Sequence, residues 1–288
     1  MKPFLKWAGS KQKIIDEVRD YLPKARRLIE PFVGSGAVFL GNREKYEELL
    51  LADASPDLIH LYTELRRSPE DFVRNAKSYF TPQNNTKEAY LAHRARFNAL
   101  DHGSRERALL FLYLNRHGFN GLCRYNRKGE FNVAFGKYRR PYFPESELRD
   151  FAEAARRATV RVADFRETIR ESGSGDVVYC DPPYVPLTAT ANFTQYQGAG
   201  FDLDDHRSLV QEAIEATHRG AVVLVSNHDT EVTRALYEDA VQVETLQVQR
   251  SIGVGKREKA PELVAIFKPD AQENPVTVPH PRGLRRAA

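Results

Sequence analysis

The chain has 288 residues, 41% hydrophobic and 28% charged, which is ordinary globular composition and excludes fibrous, low-complexity and membrane-embedded classes. Its apolar runs, such as Ala221–Val225, are far too short to span a bilayer, and no apolar leader segment opens the sequence. Two cysteines, Cys123 and Cys180, fit neither disulfide nor metal-ligand spacing, so a cytoplasmic protein with no membrane association and no metal is expected.

The net charge of +4 is modest, but its distribution is uneven. From Arg94 to Arg140 eleven Lys/Arg stand against three acids, Asp101, Glu106 and Glu130. Phe111, Tyr113, Phe119, Tyr125, Phe131, Phe135 and Tyr138 are interleaved with them. A basic, aromatic-rich segment can follow a phosphate backbone and still offer side chains to bases. A solvated helix face would account for the same charges.

In chain order, residues 10–22 read as an amphipathic helix capped by Ser10, with Ile14, Ile15, Val18 and Leu22 on one face and Pro23 as the stop. Leu28-Ile29 leads through Glu30-Pro31 into Phe32-Val33-Gly34-Ser35-Gly36-Ala37, a strand, a glycine turn and a helix start. Leu49–Ala52 is a second strand ending at Asp53. Val177–Cys180 and Val222–Val225 are compact β-branched runs separated by a helix around His206–His218, and Leu263–Phe267 is a last strand. Strands alternating with helices predict an α/β fold with a mainly parallel, doubly wound, Rossmann-like sheet. The stretch from 57 to 148 breaks that rhythm, being helix-like through Tyr113 and then rich in Gly, Asn and Arg. It reads as a mainly helical recognition domain inserted between catalytic segments 1–56 and 149–268. Residues 269–288 read as a disordered basic tail.

Two motifs carry the chemistry. Asp181-Pro182-Pro183-Tyr184 follows the Val177–Cys180 run, and its prolines stop the strand and remove two backbone donors. The resulting turn presents carbonyl oxygens, a carboxylate and an aromatic face. That suits a planar base with an exocyclic amine, although such turns also occur as plain loops. Phe32-x-Gly34-x-Gly36 falls short of a full dinucleotide motif. Even so, Asp53 closes the next strand nineteen residues after Gly34, near the spacing at which an acid reaches ribose hydroxyls. A tight strand–helix turn with a capping Asp53 is the plainer alternative. No Walker lysine motif is present, which favours a nucleotide-like ligand without a triphosphate. Together the two motifs point to methyl transfer from S-adenosylmethionine to an amine.

The motifs resemble those of the Dam family of DNA adenine-N6 methyltransferases, the D12 class. The matching segments include Phe4–Gly9, Glu30–Gly34, Leu51–Asp53, Tyr113–Arg116, Asn120–Asn126, Gly129–Val133, Pro141–Glu145, Val178–Tyr184, Ala189–Thr194 and Ser226–Thr230, in the family's order. The resemblance implies S-adenosylmethionine as methyl donor, bound by Trp7, Lys11, Asp53 and Asp181 beside the turn Phe32, Gly34 and Gly36. It implies catalysis at Asp181, Pro182, Pro183 and Tyr184. It also implies double-stranded DNA as partner, with Lys6, Phe119, Asn120, Leu122, Arg124 and Tyr138 reading or ordering a GATC site, and no obligate protein partner. Arg124 suits base readout in particular, since a guanidinium bonds bidentately to guanine. Departures from the family pattern are Phe119 for tyrosine, Ala134 for proline, Ser10 for glycine and a shorter loop around Gly253–Lys259. Methyltransferases of RNA or protein amides, and a non-catalytic DNA-binding regulator, are the competing readings. The intact Asp181–Tyr184 and glycine motifs count against the last. Cys180 lies inside a strand run with no partnering base and reads as packing.

Overall fold

The computed structural model describes residues 1–185, 201–246 and 261–270. The Ala189–Thr194 match, the loop around Gly253–Lys259 and nearly all of the basic tail lie outside them. Seven strands form one sheet: β1 (Arg27–Glu30), β2 (Glu48–Asp53), β3 (Ala158–Val162), β4 (Asp176–Cys180), β5 (Val222–His228), β6 (Gln242–Leu246) and β7 (Glu262–Phe267). Their order is β3-β2-β1-β4-β5-β7-β6. The first five run parallel, and β7 enters antiparallel between β5 and β6. The chain reverses direction outward from β1, between β1 and β4. In such sheets the crevice at the carboxyl ends of these strands takes the ligand.

The helices are α1 (Ile15–Tyr21), α2 (Ala37–Asn42), α3 (Pro56–Arg67), α4 (Pro69–Lys77), α5 (Lys87–Ala99), α6 (Arg105–His117), α7 (Glu145–Ala154), α8 (Phe165–Arg170), α9 (Leu203–His218) and α10 (Glu231–Leu236). Alternation along the central strands sorts the core. Leu28, Val177 and Tyr179 join one hydrophobic cluster, while Ile29, Val178 and Cys180 join another on the opposite face. The first cluster runs without a break from the sheet into α3–α7 through Leu58, Tyr62, Phe97, Phe111 and Phe151. The second lies under α8 and α9 through Phe165, Ile169, Leu209 and Ala213. None of the helices among the described residues is long and apolar enough to cross a membrane.

The sequence-based expectations depart from this structure in three places. The single helix over 10–22 is instead a 3-10 turn, Lys11–Lys13, followed by α1. Ser10 makes no capping bond, because its hydroxyl faces that of Ser35 at 2.9 Å. β3 and β6 were not expected: both are edge strands whose residues are mostly half-exposed, so they lack the apolar run that marked the central strands.

Candidate active site and reading loop

β4 ends where Pro182 and Pro183 cannot continue the ladder, and the turn Asp181–Val185 stands at the carboxyl edge of the sheet. Asp181 Oδ1 accepts from Lys11 Nζ at 2.7 Å and from the Ser226 hydroxyl at 3.0 Å. Lys11 is only 4% exposed; it also donates to the Gly9 carbonyl at 3.0 Å and lies 3.8 Å from Glu262 Oε2. Burial raises the Asp181 carboxyl above its ordinary range, while the Lys11 ammonium and the Ser226 hydroxyl oppose that rise. Tyr184 donates its hydroxyl to Glu262 at 2.9 Å. Its ring meets the edge of His228 at 4.7 Å, and the Lys11 ammonium lies 4.5 Å from its centroid. Asn227 Oδ1 accepts the Val185 N–H at 3.2 Å and so anchors the end of the turn to β5. Cys180 is fully buried, and burial drives its thiol well above the ordinary range. That leaves it inert, in line with a packing role.

The glycine turn forms the second half of the crevice. Gly34 and Gly36 have φ of +46° and +74°, values that side-chain-bearing residues rarely adopt. A Cβ on Gly34 would stand 2.9 Å from Trp7 Nε1, so the indole rests directly against bare backbone. The Gly34 N–H donates to Asp53 Oδ2 at 3.0 Å and the Ser55 N–H to Oδ1 at 2.9 Å. Burial raises the Asp53 carboxyl, and these two backbone donors partly counter it. A carboxylate offers about four lone-pair sites, so among the described residues these two donors leave part of its acceptor capacity open. Phe32 stacks on Phe165, with ring centroids 5.4 Å apart. Trp7, Lys11, Phe32, Gly34, Gly36, Asp53 and Asp181 are thereby carried by the carboxyl ends of β1, β2 and β4 and the N-terminal segment that packs on them.

Four contributors to this site were not singled out by the sequence pattern. Ser226 and Asn227 reach the turn because β5 pairs with β4, and Glu262 because β7 lies on the far side of β5. Glu30, 2% exposed at the end of β1, has an Oε1 with no partner among the described residues. Burial, with Asp181 nearby, pushes its carboxyl far up.

The residues expected to face DNA gather on the segment after α6. Phe119 is 51% exposed and Asn120 has φ +53°, so this short 3-10 turn holds an aromatic ring out in solvent. Buried Asn115 fastens the turn to the N-terminal segment. It accepts the Lys6 N–H at 3.0 Å and donates to the carbonyls of Lys6 and Gly121 at 2.7 and 3.0 Å. The Lys6 ammonium lies 3.8 Å from the centroid of Tyr138. Arg124 is exposed, its Nε donating to Asn132 Oδ1 at 2.8 Å. Leu122 is half-buried and packs against the first hydrophobic cluster.

The basic segment divides in two. Arg96 pairs with Glu106, Arg105 lies near Glu64, and Arg107 pairs with Asp57. Arg94 and Arg116 donate to the carbonyls of Val133 and Tyr142. Arg127, Lys128, Lys137, Arg139 and Arg140 are exposed and make no ion pair with any described residue. The cations available to an anionic partner are thus concentrated beyond α6, around the exposed Phe119.

A carboxylate, a Pro-Pro turn and an aromatic ring beside a glycine turn and a second buried acid match what is expected of an S-adenosylmethionine-dependent methyltransferase. Comparison with known proteins gives the family. Residues 7–252 match the D12 class N6 adenine-specific DNA methyltransferases. The chain is 51% identical over 272 residues to the DNA adenine methylase of Vibrio cholerae serotype O1, covering 93% of this chain and 96% of that one. It is 47% identical over 270 residues to that of Serratia marcescens (93% and 98% coverage). With that of Escherichia coli K12 it shares 45% over 270 residues (93% and 96% coverage). This chain belongs to the D12 class of N6 adenine-specific DNA methyltransferases and methylates adenine in DNA with S-adenosylmethionine as donor.

Proposed function

We propose that the enzyme methylates adenine N6 in double-stranded GATC sites, on a base flipped out of the duplex into the Asp181–Tyr184 turn. The observation that carries this reading is Asp181 itself, a carboxylate held by Lys11 and Ser226 at the start of the Pro-Pro turn. Adenine N6 within a duplex is paired, so reaching such a recessed acceptor set requires extrusion. Tyr184, fixed by Glu262, offers its ring to the flipped base. Asp181 and the Pro182 carbonyl accept the two amino hydrogens, which draws the nitrogen lone pair out of conjugation. Positioning and electrostatics then carry the catalysis, with no covalent intermediate on the protein.

S-adenosylmethionine, when bound, supplies an electrophilic sulfonium methyl. The residues present fit it. Lys11 and Asp181 offer both charges to a zwitterionic methionine end, Asp53 keeps lone pairs for ribose hydroxyls, and the Trp7 indole closes over Gly34. Residues 57–148 serve as the target-recognition part, with Lys6, Phe119, Asn120, Leu122, Arg124 and Tyr138 at the duplex.

Transfer of labelled methyl from S-adenosylmethionine to a GATC duplex, a one-base variant and single-stranded RNA tests the reading. Strong transfer to the first alone is expected. Equal transfer to the variant duplex would remove the GATC assignment. With 2-aminopurine in place of the target adenine, binding should raise fluorescence, and an unchanged signal would remove base flipping.

A further inference from the structure

Asp57, in the first turn of α3, is 3% exposed and gathers an unusual set of partners. Arg107 of α6, itself 4% exposed, grips it bidentately at 2.6 and 3.0 Å. The Tyr125 hydroxyl donates to Asp57 Oδ2 at 2.6 Å, and His102 Nδ1 stands 3.3 Å from Oδ1. Burial alone would raise the Asp57 carboxyl, but the bonds from Arg107 and Tyr125 outweigh it and leave it low. Burial and that same carboxylate raise the Tyr125 phenol, so it remains a hydrogen-bond donor.

An ion pair this well satisfied between two helices needs no third partner from a loop. Yet Tyr125 directly follows Arg124 on the exposed segment, and its ring packs edge-on against Phe131 at 5.7 Å. Among the described residues Arg124 itself bonds to Asn132: Nε to Oδ1 at 2.8 Å, Nη2 to the carbonyl at 3.4 Å, and its own carbonyl to the Asn132 N–H at 3.0 Å. Asn132 lies between Phe131 and Val133, which are bonded to Asn98, Tyr90 and Arg94 of α5, so that limb of the loop is held to α5. The limb that carries Arg124 is held on one side by the Asn115 amide, which reaches Gly121 and Cys123, and on the other by the Tyr125–Asp57 bond. Asp57 in turn lies two residues beyond Ser55, whose N–H holds Asp53.

We propose that Tyr125 is a positioning residue for target discrimination: its hydroxyl, anchored on the buried Asp57–Arg107 pair, sets where the Arg124 guanidinium meets the duplex. This inference rests on Arg124 being a base-reading residue. A bidentate contact is sensitive to sub-ångström displacement. Loosening the anchor therefore costs discrimination at one base pair while leaving the methyl-transfer chemistry in place.

The test uses the full-length enzyme as wild type, Tyr125→Phe and Arg124→Ala. kcat/KM is measured on the GATC duplex and on duplexes altered at each single position. Arg124→Ala identifies the base pair that Arg124 reads. Tyr125→Phe is expected to lower discrimination at that same pair roughly 3- to 10-fold, with discrimination elsewhere and kcat on GATC within about twofold of wild type. Discrimination unchanged by Tyr125→Phe at the pair that Arg124→Ala relaxes would overturn the inference alone. An equal loss at every position would also overturn it, since that marks general loosening of the fold. If Arg124→Ala relaxes no pair, the base-reading role falls and the inference with it.

Discussion

The Asp181–Tyr184 turn and the loop beyond α6, proposed above as catalytic and DNA-reading, are built on opposite physical plans. Around Asp181 the ionisable groups are buried or half-buried and shared: Lys11 serves Asp181, Glu262 and the Gly9 carbonyl, and Ser226 and Glu262 reach in from β5 and β7. Beyond α6 the charged groups are exposed and largely unshared, and an aromatic ring stands in solvent at Phe119. The first plan preorganises a small reaction centre, where low dielectric makes each dipole count. The second leaves cations free to exchange counterions for phosphates. Chemistry and recognition thus require contrasting burial within one chain, and the contrast predicts how each part responds to damage.

The largest effect is expected at the buried end. Asp181→Ala should abolish measurable methyl transfer while DNA binding, followed by gel shift, survives; near-wild-type turnover would exclude the proposed role. Between the two regions, Arg107→Met leaves Asp57 buried without its main counter-charge. It should lower the unfolding free energy by about 3–5 kcal/mol in urea titration, and a loss below about 1 kcal/mol would mean that the pair is not held as tightly as the structure implies. At the exposed end, Arg140→Ala should lower the salt dependence of DNA binding by about one counterion with little change in preference among sequences. A selective change at one base pair would show that this cation is not confined to the backbone.

The smallest effect concerns pH. Asp181 must be ionised to accept amino hydrogens, and its carboxyl is already raised by burial. On the proposed role, activity should be lost as pH falls through a value above the ordinary carboxylate range. Ser226→Ala removes a bond that favours the ionised form, so the acid limb of the kcat/KM profile should move to higher pH. A limb that stays in place would detach it from Asp181.

What can be read in the sequence follows the same division. Prolines, glycines and β-branched runs act locally, so the Asp181–Tyr184 turn, the Gly34 turn and the central strands are all legible in the order of residues. β3 and β6 are not, because edge strands here carry half-exposed polar residues and lose the apolar signature. Glu262 and Ser226 are hidden for a different reason: their partners lie 78 and 45 residues away, and only the antiparallel entry of β7 and the pairing of β5 with β4 bring them in. Counting basic residues overstates the phosphate-facing charge, since Arg96, Arg105 and Arg107 are engaged with acids inside the fold.

Tyr62 of α3 donates its hydroxyl to the Gly34 carbonyl, so a helix from the inserted stretch braces the turn that faces the donor. For chimaeras between relatives this sets a practical boundary. Exchanging everything from 57 to 148 would import a foreign brace beneath the glycine turn. On the proposed recognition role, grafting only the segment from Gly118 to Arg140 should carry most of the target preference across and leave the host's own support in place.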